Sequence, residues 1–455
     1  MGFLKCFVVG LLLCGFTLAH AQAGDTTLNI IEKGKIKFRL EDGKNKLYTN
    51  NYRGALKAFR EVLQADPNNV LARFRIAECY YELKRFELSK KYIDKVDKAS
   101  LKKKLSKEYN YLMGKIYHRN EELDKAIEYL TAYKGMAKKK EVIDSEVDRY
   151  LSQCAYAKEA MKTKIDVEIT NVGGNINGVN PDYSPSITSD GKTMIFTSRR
   201  PDTKGGGVDK DYDYRYYEDI YITQWDEEEG EWAVAKGIQG NLNTEFHDSG
   251  LSISPDGAYI YIYRNITGVT GSGDIYVSKK SKSGKWGTPK PIAEKPVNIN
   301  TSYFETSASI AEGGTMFYFM SERPGPTSQG LGDLFSIKKT GKSSWGEAVN
   351  LGAEINTKFD EKFVYVHPEG NLMFFASDGH ESLGGYDIFV CKKGTDGKWG
   401  KPQNLGYPIN TVLDEKTFII TGDGNTAYIG AYYEGSKGEA DIFKIDCTNL
   451  KFIAE

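Results

Sequence analysis

The chain has 455 residues, 27% of them charged, and a formal net charge of −1, which excludes a polytopic membrane protein and leaves room for two or three globular domains. The near-zero total conceals an asymmetry. Asp25 to Lys162 holds 31 Lys plus Arg against 21 Asp plus Glu, while the chain from Thr163 onward holds 29 against 41, so the two parts carry opposite sign and favour docking on each other.

Residues 1–21 read as a secretory signal peptide. Lys5 supplies the basic end, Phe7 to Leu18 the apolar run, and Ala19-His20-Ala21 a small-x-small cleavage site. The run is too short to span a bilayer, and Leu13 stands where a lipoprotein would place a small residue before Cys14. Four cysteines follow, Cys79, Cys154, Cys391 and Cys447, with no Cys-x-x-Cys pair; buried thiols and a disulfide both fit.

Residues 22–162 have a helical period that repeats. Tyr52, Ala55, Phe59 and Val62 lead to Asp66-Pro67, followed by Ala77, Tyr80, Phe86, Ser89, Ile93 and Val96. Gly114, Tyr117, Leu123, Ala126 and Leu130 continue at matching offsets. Small residues at these positions let paired helices cross closely, and large ones fill the groove beside them. The pattern resembles the tetratricopeptide repeat, with Lys46 and Ser89 as departures, and implies an α-solenoid with a protein-binding groove; a plain helical bundle is the alternative. Burial is expected for Tyr52, Ala55, Phe59, Tyr80, Leu123 and Ala126.

Residues 163–455 change to short alternating strands. An Asp-Ile-Tyr/Phe-type position recurs at Asp219, Asp274, Asp333, Asp387 and Asp441, at spacings of 55, 59, 54 and 54. Each copy is preceded by an Asn-x-Asn-like lead-in, a turn such as Pro255-Asp256-Gly257 and an aromatic strand such as Met316 to Met320. Trp232, Trp286, Trp345 and Trp399 close four of the copies. Such a period with four strands per unit predicts a β-propeller. The fold class is therefore α plus β, multidomain: an α-solenoid followed by a propeller of five, alternatively six, blades. The fifth copy lacks its Trp-bearing outer strand, and Ile165 to Ile169 has the alternation to supply it and close the ring. In the rival arrangement Leu450 to Ala454 supplies that strand, and the N-terminal segment begins a sixth blade.

Chemistry-bearing motifs are scarce. His118, His247, His367 and His380 are isolated, and neither a Gly-x-Ser-x-Gly elbow nor a phosphate loop occurs. Asp209 to Asp213 alternates acids like a calcium loop but lacks its glycine and closing Glu. The pairs Asp360-Glu361 and Asp414-Glu415 occupy the same place in successive units, as architecture would. No catalytic residue, metal or cofactor is expected, nor nucleic acid or a small-molecule ligand. In a four-stranded meander, the loops after each second strand share a face with the blade connections, and such a face concentrates function. Candidate binding residues there are Arg199, Arg200, Tyr214, Arg215, Tyr216, Arg264, Arg323, Asp378 and His380, because Tyr and Arg dominate recognition hot spots.

Ser186 to Ser198 and the Asp-Ile-Tyr position resemble the WD-type repeats of TolB-like propellers. With a signal peptide and tetratricopeptide helices ahead of them, the chain is similar to cell-envelope proteins of Gram-negative bacteria. Among these is the periplasmic branch associated with type IX secretion, whose regulatory-like and OmpA-like domains are missing here. The resemblance implies a non-enzymatic periplasmic scaffold, in places peripheral to the outer membrane, that binds envelope proteins in a secretion or assembly complex. The alternative is a propeller that binds carbohydrate or cleaves glycans. Clustered His, Arg and acidic residues in the central funnel would favour that alternative.

Overall fold

The computed structural model describes residues 29–210, 214–264, 273–292, 299–341 and 344–450; the signal segment and Cys14 lie outside them. The chain falls into two compact units, the residues up to Leu101 and those from Lys102 onward.

The first unit holds two helix pairs, α1 (Ile30–Tyr48) with α2 (Tyr52–Ala65) and α3 (Val70–Glu82) with α4 (Phe86–Ile93). Asn29 and Glu32 form a reciprocal capping box, and Asn51 and Asn69 cap the next two starts. The small-residue position of the first repeat is Gly43: a Cβ there would lie 2.5 Å from the Phe59 ring. Ala55, Phe59 and Tyr80 are buried as expected, whereas Tyr52, at the helix start, is half-buried.

The second unit begins with α5 (Lys103–Arg119), α6 (Leu123–Met136), α7 (Lys139–Asp144) and α8 (Val147–Lys162). Gly114 repeats the role of Gly43, with Leu130 at 2.5 Å from where its Cβ would stand. Leu123 and Ala126 are buried. These helices group with the blades because their inner faces pack on them.

Five antiparallel blades follow, four of them four-stranded and the first with a fifth short strand, because both Glu231–Trp232 and Lys236–Gly237 pair with Asp219–Asp226. Their innermost strands are Asp182–Ile187, Ser249–Ile253, Glu305–Ala311, Glu361–Val366 and Thr417–Ile420. The middle strands are apolar on both faces because neighbouring blades cover both; Phe317, Tyr318, Phe319 and Met320 are all buried. The ring closes through the N-terminal segment, but the paired strand is Ile169–Asn171 and so starts four residues later than expected. Ile169, Thr170 and Asn171 pair with Ile445, Lys444 and Phe443, and Glu168 O accepts from the Asp446 amide at 3.0 Å. Ile165 instead donates its amide to Tyr407 O. Its side chain, with those of Val167 and Ile169, packs on the core of the last two blades. Alternation thus marked burial along the whole segment, while the ladder occupies only its end.

The last Asn of each lead-in clamps the third strand of the preceding blade. Asn243 accepts from Ile220 N at 2.9 Å and donates to Ile220 O at 3.0 Å. Asn300, Asn356 and Asn410 repeat this on Ile275, Leu334 and Ile388. Asn177 makes the same clamp on Ile442, across the closure. All four cysteines are free and buried, and burial pushes their thiols up to about 12. Among the described residues no helix is long and apolar enough to cross a membrane.

Candidate functional site

Antiparallel order puts the loops after the second strands and the blade connections at one end of the ring. Each blade buries an acid there: Asp182, Asp248, Glu305, Glu361 and Glu415. Threonines Thr244, Thr301, Thr357 and Thr411 donate to the last four, and Gly178 N donates to Asp182. In blades 1 to 3 an arginine at the end of the second strand or two residues beyond it pairs with this acid. Arg200 meets Asp182 at 2.6 Å, Arg264 meets Asp248 at 3.0 Å, and Arg323 meets Glu305 at 3.5 Å. Each arginine also donates to a lead-in carbonyl, of Ile176, Leu242 and Ile299 respectively.

Blades 4 and 5 depart from this. His380 Nε2 contacts the equivalent carbonyl, Ile355 O, at 2.8 Å, and the Tyr433 hydroxyl donates to Ile409 O. Neither is bonded to the blade's acid. Burial raises Asp182 and Asp248 too, against the pull of their arginines; it pushes Glu361 up to about 7, and Glu415 well above the usual carboxylate range, with Asp387 adding to the latter. Burial lowers His380, which is held neutral among Phe375 and Phe389.

On these same two blades the helices dock. From α8, Arg149 donates to Asp378 O at 2.7 Å and lies 4.6 Å over the Phe359 ring. Gln153, one turn on, donates to Ser382 Oγ and Gly384 O. Ala157, a turn further, joins Leu123, Leu383 and Val412 in one apolar cluster. From α5, His118 Nε2 contacts Leu383 O at 2.7 Å and Arg119 donates to Val412 O. Desolvation in this contact drives His118 down to about 3.

The long loop of blade 1, Arg199 to Glu218, lies at the same end and is fastened from inside. Arg199 is buried and donates to Tyr216 O at 2.7 Å. His247 stands between two carboxylates, with Nε2 3.0 Å from Asp209 and Nδ1 3.3 Å from Glu218. The Glu218 amide also approaches Nδ1 at 3.3 Å, but the paired acids favour the imidazolium. Hydrogen bonding to Glu218, then to Asp209, raises the His247 pKa. Burial alone would raise Glu218, yet His247 and the Tyr183 hydroxyl hold it below its ordinary value. Both ring nitrogens are thus engaged by partners from the loop, and the cluster fastens the loop to the lead-in of blade 2.

Of the nine residues singled out by sequence, Arg199, Arg200, Arg264, Arg323 and His380 are thus engaged within the blades. Asp378 meets α8, Arg215 pairs with Glu439 of blade 5, and Tyr216 holds Arg199 through its carbonyl. Tyr214 is 56% exposed. Sequence reasoning passed over a second set. Three residues after the clamping Asn stand Phe246, Tyr303, Phe359 and Leu413, each with its amide bonded to the hydroxyl of the acid-binding threonine. The signal was there, an apolar residue repeated at a loop tip.

Models of the tetratricopeptide repeat family match residues 47–116 and 107–139. No curated protein matches the chain. Among solved structures, the endo-arabinase from Bacteroides thetaiotaomicron is similar over 60% of this chain and 95% of its own, at 13% identity and a TM-score of 0.37. The α-L-arabinofuranosidase from Lactobacillus brevis is similar over 59% and 90%, at 13% and 0.36. MamA from Desulfovibrio magneticus is similar over 29% and 71%, at 23% and 0.25. None of these likenesses assigns an activity to this chain. The chain carries tetratricopeptide repeats in its N-terminal region, ahead of a five-bladed propeller.

Proposed function

We propose that this protein is a non-enzymatic scaffold, exported to the periplasm, that binds other cell-envelope proteins through its helical repeats and its propeller face. Helical repeats serve protein–protein interaction in general, and envelope partners are the finer reading drawn from the resemblance to the type IX secretion-associated branch. The observation that carries it lies on α1. Ile36, Leu40 and Leu47 pack inward, while Ile31, Phe38 and Tyr48 are 71, 66 and 92% exposed. Exposed apolar side chains on a repeat surface are what a partner covers, and burying one such side chain fully contributes about 1.5–3 kcal/mol.

The test is affinity capture from envelope extract with the intact chain and with Phe38→Glu plus Tyr48→Glu. A discrete partner retained by the first and lost by the second, at equal melting temperature, is expected. Equal retention would remove the helical repeats from the binding surface.

A further inference from the structure

The four loop tips are equivalent by repeat, held by the same threonine turn. Two of them are covered by the chain's own helices: Phe359 lies under Arg149, and Leu413 packs in the cluster of Leu123 and Ala157. The other two stand open, Phe246 at 72% and Tyr303 at 43% exposure, with Leu331 at 69% on the neighbouring loop of blade 3. The open set is continuous with the covered one, since the Leu331 amide donates to Phe359 O. Exposed Glu245 and Glu322 flank it, on the part of the chain that carries the acidic excess.

We propose that the face of blades 2 and 3, around Phe246, Tyr303 and Leu331, is a second helix-docking site for a basic amphipathic helix of another protein. Resting on the scaffold reading, it names the kind of partner. The occupant's chemistry follows from the resident helix. Along α8, Arg149, Gln153 and Ala157 fall at i, i+4 and i+8 and so form one stripe, supplying a cation over an aromatic tip, an amide for loop carbonyls and a small residue for close approach. Arginine over an exposed aromatic tip recovers cation–π attraction, and its charge complements Glu245 and Glu322.

The test uses the full chain and a synthetic peptide of Val147–Lys162, cross-linked on the face opposite Gln153 to hold the helix. Fluorescence anisotropy is expected to show saturable one-to-one binding. Phe246→Glu plus Tyr303→Glu should weaken it at least tenfold, as should Arg149→Glu in the peptide, with melting unchanged. Leu331→Glu alone, remote from the His247 clasp, should give a several-fold loss. Absence of saturable binding, or equal affinity for the variants, overturns the proposal. So does peptide exchange with resident α8, seen as faster hydrogen exchange at Asp378 to Gly384. Self-association of the wild-type chain in sedimentation, lost in the double variant, would assign the face to a second copy and overturn the partner named here. Failure of the α1 capture experiment leaves these readouts untouched.

Discussion

A buried carboxylate without its arginine is a pH-dependent element. Glu361 is buried and bonded to Thr357 and Ser377, with its folded pKa raised to about 7 from 4.5. A raised acid favours the protonated fold, so its contribution is complete below 4.5 and is lost as pH rises towards 7. Glu361→Gln should therefore flatten the stability profile between these values, by about 1–3 kcal/mol at the alkaline end, measured by urea unfolding at pH 5 and pH 8. His247 works in the same direction, since its raised pKa gives stability that is complete below 6.5 and lost as pH rises through the folded value. Glu218 is lowered, so its part is complete above 4.5 and lost as pH falls through its folded value. Trypsin cleavage within Arg199 to Glu218, with each rate divided by that of an unfolded peptide at the same pH, should be slow near pH 5.5 and faster at pH 8.5, and His247→Gln should abolish that difference.

At the scale of elements, close approach decides which substitutions the fold tolerates. Ala126 is fully buried where α6 crosses α5, and Ala126→Arg is expected to cost several kcal/mol, roughly the upper range for overpacking with an unpaired charge. Loss of the α5–α6 helical signal on heating, well before the wild type, would report it. Gly384 belongs to the loop that α8 reads, and a Cβ there would lie 2.1 Å from Val412 O. Gly384→Ala must push apart the blade 4 loop and the next lead-in, at about 1–3 kcal/mol. Faster hydrogen exchange along α8 should accompany the loss, because Gln153 donates to the Gly384 carbonyl.

At the scale of the molecule, ring closure reuses the device that joins every other pair of blades. Asn177→Ala removes two buried hydrogen bonds to Ile442 and leaves that backbone pair unsatisfied, at about 2–4 kcal/mol. Asn300→Ala, the same clamp inside the ring, should cost the same within error in chemical denaturation. A much smaller effect for Asn177→Ala would mean that the Ile169–Asn171 ladder carries the closure instead. The docked helices make α5–α8 part of the propeller's stability, because blades 4 and 5 meet the helices on the face where blades 1 to 3 carry an arginine of their own.

The architecture is legible in local signals. Repeated small and large residues specified helix pairs, and the Asp-Ile-Tyr period with its turns specified a propeller of five or six blades, because both signals are local and recur at fixed spacing; the structure has five. The alternation ahead of Asn175 favoured that segment for ring closure over Leu450 to Ala454, and the ladder of Ile169–Asn171 decided it. Side-chain roles were a different matter. Arg200, Arg264 and Arg323 have the composition of a recognition surface, yet each is bonded to an acid 16 to 18 residues earlier in the chain. Only the antiparallel return of the second strand brings those residues together. Asp378 likewise looked free until α8, more than 200 residues earlier, came to lie over it. Burial and turn formation are written in neighbouring residues, whereas which charge meets which, and which loop tip stays open, depends on the tertiary packing of distant segments.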